Sequence, residues 1–140
     1  MSQLKTIGRV ETISILDLEL FDLDAKVDTG AYSNSLHCDD IFEDEDNFVH
    51  FKLLDKIHPS YHGKKLKIPL YKTKSVKSSN GVVQTRASIK VQVKFAGKVY
   101  QTVVSLTNRS DMKYPMLIGR KFLKDRFLVD VSKKNLTKGK

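Results

Sequence analysis

The chain of 140 residues has one cysteine, no tryptophan and three prolines. Its single thiol, Cys38, excludes an internal disulfide framework and any site built from several thiolates. No apolar run is long enough to cross a bilayer, so no membrane contact by a spanning segment is expected. The start, Met1-Ser2-Gln3-Leu4-Lys5, lacks the basic-then-apolar build of a signal peptide, which makes a reducing cytoplasm the expected setting. Two chemical signatures are also missing. There is no Gly-x-x-x-x-Gly-Lys-Ser/Thr phosphate loop and no His-Glu-x-x-His zinc helix. Among the histidines, His58 and His62 have i,i+4 spacing but Pro59 interrupts a helix between them. His37 and Cys38 are adjacent and would point to opposite faces of a strand. Neither a metal nor a cofactor is therefore expected.

What is present suits one globular domain: 40% hydrophobic and 29% charged residues. The net charge of +9 is unevenly placed. Residues 1–50 hold 3 basic and 12 acidic side chains, a net of −9, and the remaining 90 residues carry +18. Such a basic half would attract nucleic acid or an acidic protein without specifying which.

The periodicity is mainly that of strands. Leu16, Leu18 and Leu20 alternate with acids, as do Leu23, Ala25 and Val27. Ala87, Ile89, Val91, Val93 and Phe95 form a longer alternation, and Val99 to Leu106 resumes it after a turn at Ala96-Gly97-Lys98. Asn80-Gly81 is the strongest hairpin signal, because both residues tolerate the positive φ of a type I′ turn. Residues 120–126 fit a short helix with Phe122 and Leu123 inward. The acidic run Asp39 to Asp46 reads as a loop or turn, and 57–79 as an irregular connection or two short strands. These features predict an all-β, mainly antiparallel, closed or partly closed domain spanning 8–132, followed by a basic, mobile tail at 133–140.

Asp28-Thr29-Gly30 ends an alternating strand. Alone it is an ordinary turn, with local hydrogen bonds from Asp and Thr and a glycine at the bend. A second segment, Pro115-Met116-Leu117-Ile118-Gly119-Arg120-Lys121-Phe122-Leu123, gives it a partner: an apolar strand meets a glycine and then a helix. Together, Asp28-Thr29-Gly30-Ala31 with Leu36 and the later Leu117-Ile118-Gly119-Arg120 resemble the retropepsin-like aspartic proteases. A closer resemblance, carried by Ala25 to Ala31, Leu36-His37, Val76 to Gly81, Arg86 and Thr107 to Met112, is to the bacterial family called ATP-dependent zinc proteases. Its members are often encoded beside ATP-grasp glutamate ligases that modify a ribosomal protein. The missing phosphate loop and zinc helix do not support that family's name.

The resemblance implies a closed β-barrel with one short C-terminal helix. It also implies a catalytic Asp28, with Thr29 and Gly30 shaping the turn and Ala31 beside the substrate. A flap at Ser79, Asn80 and Gly81 would close over substrate, and Leu117, Ile118, Gly119 and Arg120 would support the turn from behind. Arg120 could equally form an ordinary surface ion pair. Peptide hydrolysis of this kind needs two carboxylates sharing a proton. The chain has one Asp-Thr-Gly, so a homodimer is expected, acting on a peptide or protein. Tyr32 stands where retroviral members carry an acid, and residues 48–75 lengthen the chain between the two motifs. The competing expectation is a non-catalytic module on the same fold, contacting ribosomal RNA or an acidic protein through the basic half.

Overall fold

The computed structural model describes residues 4–53, 63–77, 81, 83–108 and 113–137. Eleven strands fill most of it: β1 (Lys5–Gly8), β2 (Val10–Ile15), β3 (Leu20–Val27), β4 (Asn34–Glu43), β5 (Phe48–Leu53), β6 (Lys65–Pro69), β7 (Lys72–Lys77), β8 (Val83–Phe95), β9 (Lys98–Thr107), β10 (Met116–Ile118) and β11 (Phe127–Asp130). One short helix, α1 (Arg120–Leu123), lies between the last two. Six strands close into a barrel in the order β10-β3-β2-β8-β9-β4, and β4 pairs back onto β10. Closure removes the sheet edges that an open sheet would expose. Beyond the ring, β5 and β6 continue from β4, β7 pairs with β8, and β1 pairs with β11 in parallel. Most of the pairings are antiparallel, as the alternation predicts.

Alternate residues of the long strands meet inside. Ile13 and Ile15, Leu23 and Ala25, Ile89 to Phe95 and Val104 to Leu106 supply inward rows, and Met116 and Ile118 seal the barrel. At one end Phe95, Phe122 and Phe127 pack edge to face or stacked at centroid distances of 5.2 to 6.0 Å, with Tyr100 5.2 Å from Phe122. Such aromatic pairs add to simple burial. They fix α1 against the barrel although it is a single turn.

Four local expectations are corrected. Leu16–Leu18 is a 3-10 turn rather than a strand, because Glu19 takes a left-handed φ of 53° and reverses the chain. The acidic run is largely strand. β4 extends to Glu43, with a bulge between Asp39 and Phe42 and Asp40 at φ 51°, and only 44–47 turns. Pairing with β5 holds this ribbon extended, and Lys52 reaches Asp40 at 3.0 Å. The helix ends at Leu123, since Lys124 is already extended (ψ 131°). The tail is hydrogen-bonded as far as Thr137: Lys133 O accepts from Arg9 N–H (2.7 Å), and Asn135 N–H donates to Val10 O (2.8 Å). The region 63–77 resolves into the two short strands β6 and β7. Among the described residues no helix is long and apolar enough to cross a membrane.

Candidate active site

β3 ends at Val27, and the chain turns at once. Asp28 N–H donates to Ile118 O (2.9 Å), and Ala31 N–H donates back to Asp28 O (3.1 Å). The Asp28 carboxylate accepts the Gly30 N–H at 2.9 Å through Oδ1, and it has no other partner among the described residues. Asp28 is half-buried, whereas Thr29 and Gly30 are exposed. A side chain at position 30 would sit 3.2 Å from that carboxylate, so glycine keeps the approach open.

The apolar-Gly-Arg segment lies directly behind this turn. β10 runs parallel to β3, with Leu117 opposite Lys26 and Ile118 opposite Val27, and antiparallel to the start of β4. Gly119 then passes so close to Ser33 that a Cβ would meet its backbone at 2.6 to 2.7 Å. Only glycine fits. Its N–H donates to Asn34 Oδ1 at 3.0 Å. Asn34 is buried, and its amide donates to Thr102 Oγ1 (3.1 Å) and Val103 O (3.3 Å) on β9. Arg120 and Lys121 N–H groups donate to Ala31 O (2.8 Å) and Tyr32 O (2.9 Å). The Arg120 guanidinium donates to Thr29 O at 3.1 Å and lies 5.8 Å from the Tyr32 ring centre. Both motifs thus form one hydrogen-bonded unit around Asp28.

The strands on either side of the expected hairpin turn pair with each other. β7 and β8 pair antiparallel from Lys72 opposite Ser88 to Lys77 opposite Val83. Gly81 takes φ 86°, as a tight hairpin requires. Ser79 and Asn80 lie outside the described residues, as do Arg109, His58 and His62. Lys74 on the first arm places its ammonium 5.5 Å from the Tyr32 ring centre, so the hairpin and the Asp28 turn face each other. A groove of about 700 Å³ lies beside the turn, bounded by Thr29, Tyr32, Arg120, Leu123, Phe127 and Leu128. Leu128 is half-exposed on its wall.

A family model described as "Retropepsin-like aspartic endopeptidase RimB" matches residues 6–140. The chain belongs to the RimB-like family. Curated relatives of this family member carry a different name. It is 31% identical over 131 residues to a "Probable alpha-L-glutamate ligase" of Parasynechococcus marenigrum, covering 89% of this chain and 27% of the relative. A "Probable alpha-L-glutamate ligase" of Shewanella halifaxensis is 32% identical over 133 residues, covering 90% and 28%. The chain therefore spans about a quarter of the length of these curated relatives. Among solved structures, a Legionella pneumophila protein of unknown function superposes with a TM-score of 0.75 at 30% identity, covering 96% of this chain and 98% of that one. The RimB-like match and the closed barrel agree on a retropepsin-like fold.

Sequence reasoning missed two residues that hold the site. Asn34 ties Gly119 to β9, and no spacing rule distinguishes it from any strand-start asparagine. Glu11 on β2 is fully buried, though it occupies an alternating position that reads as ordinary. Its carboxylate accepts from Gly8 N–H (2.6 Å), Leu136 N–H (3.0 Å), Thr137 N–H (2.9 Å) and the Thr137 hydroxyl (2.7 Å). Burial alone would raise its pKa. The converging donors outweigh this and hold it below 4.5. The start of this segment supports the site, because Arg9 O, just before β2, accepts the Val27 N–H (2.8 Å) one residue before Asp28.

Proposed function

We propose that the chain is an aspartic endopeptidase of the retropepsin type, with an active site assembled from two copies. The observation that carries this is the Asp28 turn. It is anchored on every backbone side, yet its half-exposed carboxylate has a single internal donor. In a two-fold pair, two Asp28 carboxylates would share one proton, since like charges so close cannot both ionise. The ionised one takes a proton from water as it attacks the peptide carbonyl. The protonated one donates to the carbonyl oxygen, giving a tetrahedral intermediate. Return of a proton to the amide nitrogen then expels the amine. The exposed Thr29 and the half-exposed Leu128 beside it provide a face for the second copy. The flap hairpin would close over substrate and exclude water.

The substrate is an acidic peptide segment. Two features support this: the curated relatives are named for α-L-glutamate ligation, and the residues after position 50 carry +18. The setting is the cytoplasm, where buried Cys38 stays a thiol. The test is hydrolysis of an acidic peptide measured across a dilution series alongside molar mass in solution. Activity per chain that falls as the dimer dissociates is expected. Activity per chain that is unchanged in a demonstrated monomer would contradict the two-copy site.

A non-catalytic module is the second reading, favoured by the exposed lysines Lys65, Lys67, Lys72 and Lys74 along β6 and β7. It predicts RNA binding that weakens steeply with salt and is indifferent to Asp28→Asn, with no peptide cleavage.

A further inference from the structure

Arg86 is half-buried on the second flap arm, in a cavity of about 330 Å³ bounded by Ile41, Thr85, Ala87, Leu106, Thr107 and Asn108. Among the described residues no hydrogen bond or ion pair engages its guanidinium. The neighbouring acidic strand does not supply one, contrary to what its charge suggests. Asp40 pairs with Lys52 (3.0 Å), Glu43 accepts the Thr73 hydroxyl (2.5 Å), and Asp44 accepts from His50 (2.7 Å). Directly opposite Arg86 across the antiparallel arms is a second cation, Lys74. Like charges facing each other in this way repel. Directly opposed residues share a sheet face, and Lys74 reaches across to Tyr32, four positions after Asp28. A guanidinium in a partly apolar cavity, beside another cation and without an acid, is set to receive an anion from outside the chain.

We propose that Arg86, backed by Lys74, is the specificity-determining residue of a subsite for a carboxylate side chain of the substrate. The planar fork of Arg86 matches a carboxylate in a two-point contact. Ile41 and Leu106 give the cavity apolar wall for the aliphatic stem of such a side chain, and Thr85, Thr107 and Asn108 add polar groups to its lining. An uncharged amide of the same shape would leave the guanidinium without its counter-ion. Discrimination of about tenfold or more follows from one charge-assisted contact in a partly desolvated site. Lys74 contributes the repulsion that bound carboxylate relieves, so its effect has the same sign and is smaller.

This subsite rests on the endopeptidase reading for its purpose, and the two are separable by experiment. In an Asp28→Asn chain, binding of an oligo-α-glutamate peptide and of the matching oligo-glutamine peptide would be measured by fluorescence anisotropy. Glutamate is expected to bind about tenfold or more tightly. The preference should collapse toward unity in Arg86→Gln, persist in part in Arg86→Lys, and reverse in Arg86→Glu toward an oligo-lysine peptide. Unchanged thermal melting certifies the fold of each variant. A folded Arg86→Gln chain that keeps the preference, or no glutamate binding by the parent chain, would overturn the subsite. Cleavage of both peptides by the chain with native Asp28 then reports on the other reading. Arg86-dependent binding without any cleavage contradicts the endopeptidase and keeps the subsite. Cleavage whose selectivity ignores Arg86 does the reverse.

Discussion

Two carboxylates, one on β2 and one just past the end of the neighbouring β3, are treated in opposite ways. Glu11 is fully buried and accepts four hydrogen bonds from the two ends of the chain. Asp28 is half-buried, with one donor from within its own turn. A carboxylate saturated with donors is a structural tie, because its lone pairs are already spent on the scaffold. A carboxylate with free acceptor capacity can take a proton or a water. The two are linked in series. Glu11 holds residues 136 and 137 against β2, Arg9 just before β2 holds Val27 through its carbonyl, and Asp28 follows. One chain of contacts thus runs from a saturated carboxylate to an open one.

Stability and activity should therefore separate along this line. The largest stability loss is expected at Gly119→Ala, whose Cβ would meet Ser33 backbone at 2.6 Å. Backbone cannot yield cheaply, so a cost of about 3 kcal/mol or more is predicted, read as a drop in urea midpoint. Next is Glu11→Ala, which strands buried donors and should cost about 2–3 kcal/mol. Its pH signature is distinctive. The folded pKa of Glu11 lies below 4.5, so its stabilisation is present above that value and is lost as pH falls through the folded pKa. The stability gap between the native chain and Glu11→Gln should be widest near neutral pH and close in acid. A gap constant with pH would show that Glu11 is not the ionised tie described. Asn34→Ala should cost about 1–2 kcal/mol, through the lost acceptor of Gly119 N–H. Asp28→Asn should change stability by less than about 1 kcal/mol, since an amide oxygen can still accept the Gly30 N–H. An equal loss at Asp28 and Glu11 would erase the contrast between them.

Much of the barrel is legible because its strands bury one face. Ala87 to Phe95 alternate without interruption, and β8 follows that pattern. Leu16, Leu18 and Leu20 show the same spacing and yet form a turn, because a left-handed Glu19 is invisible to periodicity. The acidic strand was hidden for another reason. Asp40, Phe42 and Glu43 are exposed beside β5, so propensity favours a loop where long-range pairing imposes a strand. At the site, Asp28 and Gly119 were found by motif, and the close approach at Ser33 gives the physical reason for the glycine. Glu11, Asn34 and the Lys74–Arg86 opposition depend on contacts between segments far apart in sequence. No local pattern contains them.

The most direct test of a site built from two Asp28 turns is to mix the native chain with Asp28→Asn under conditions of subunit exchange and follow peptide hydrolysis. If both carboxylates are required, mixed pairs are dead, and an equal mixture should show about half the activity of the same amount of native chain alone. Falling further as the variant is added in excess is the predicted course. Activity that stays constant per native chain, with exchange demonstrated, would contradict the account.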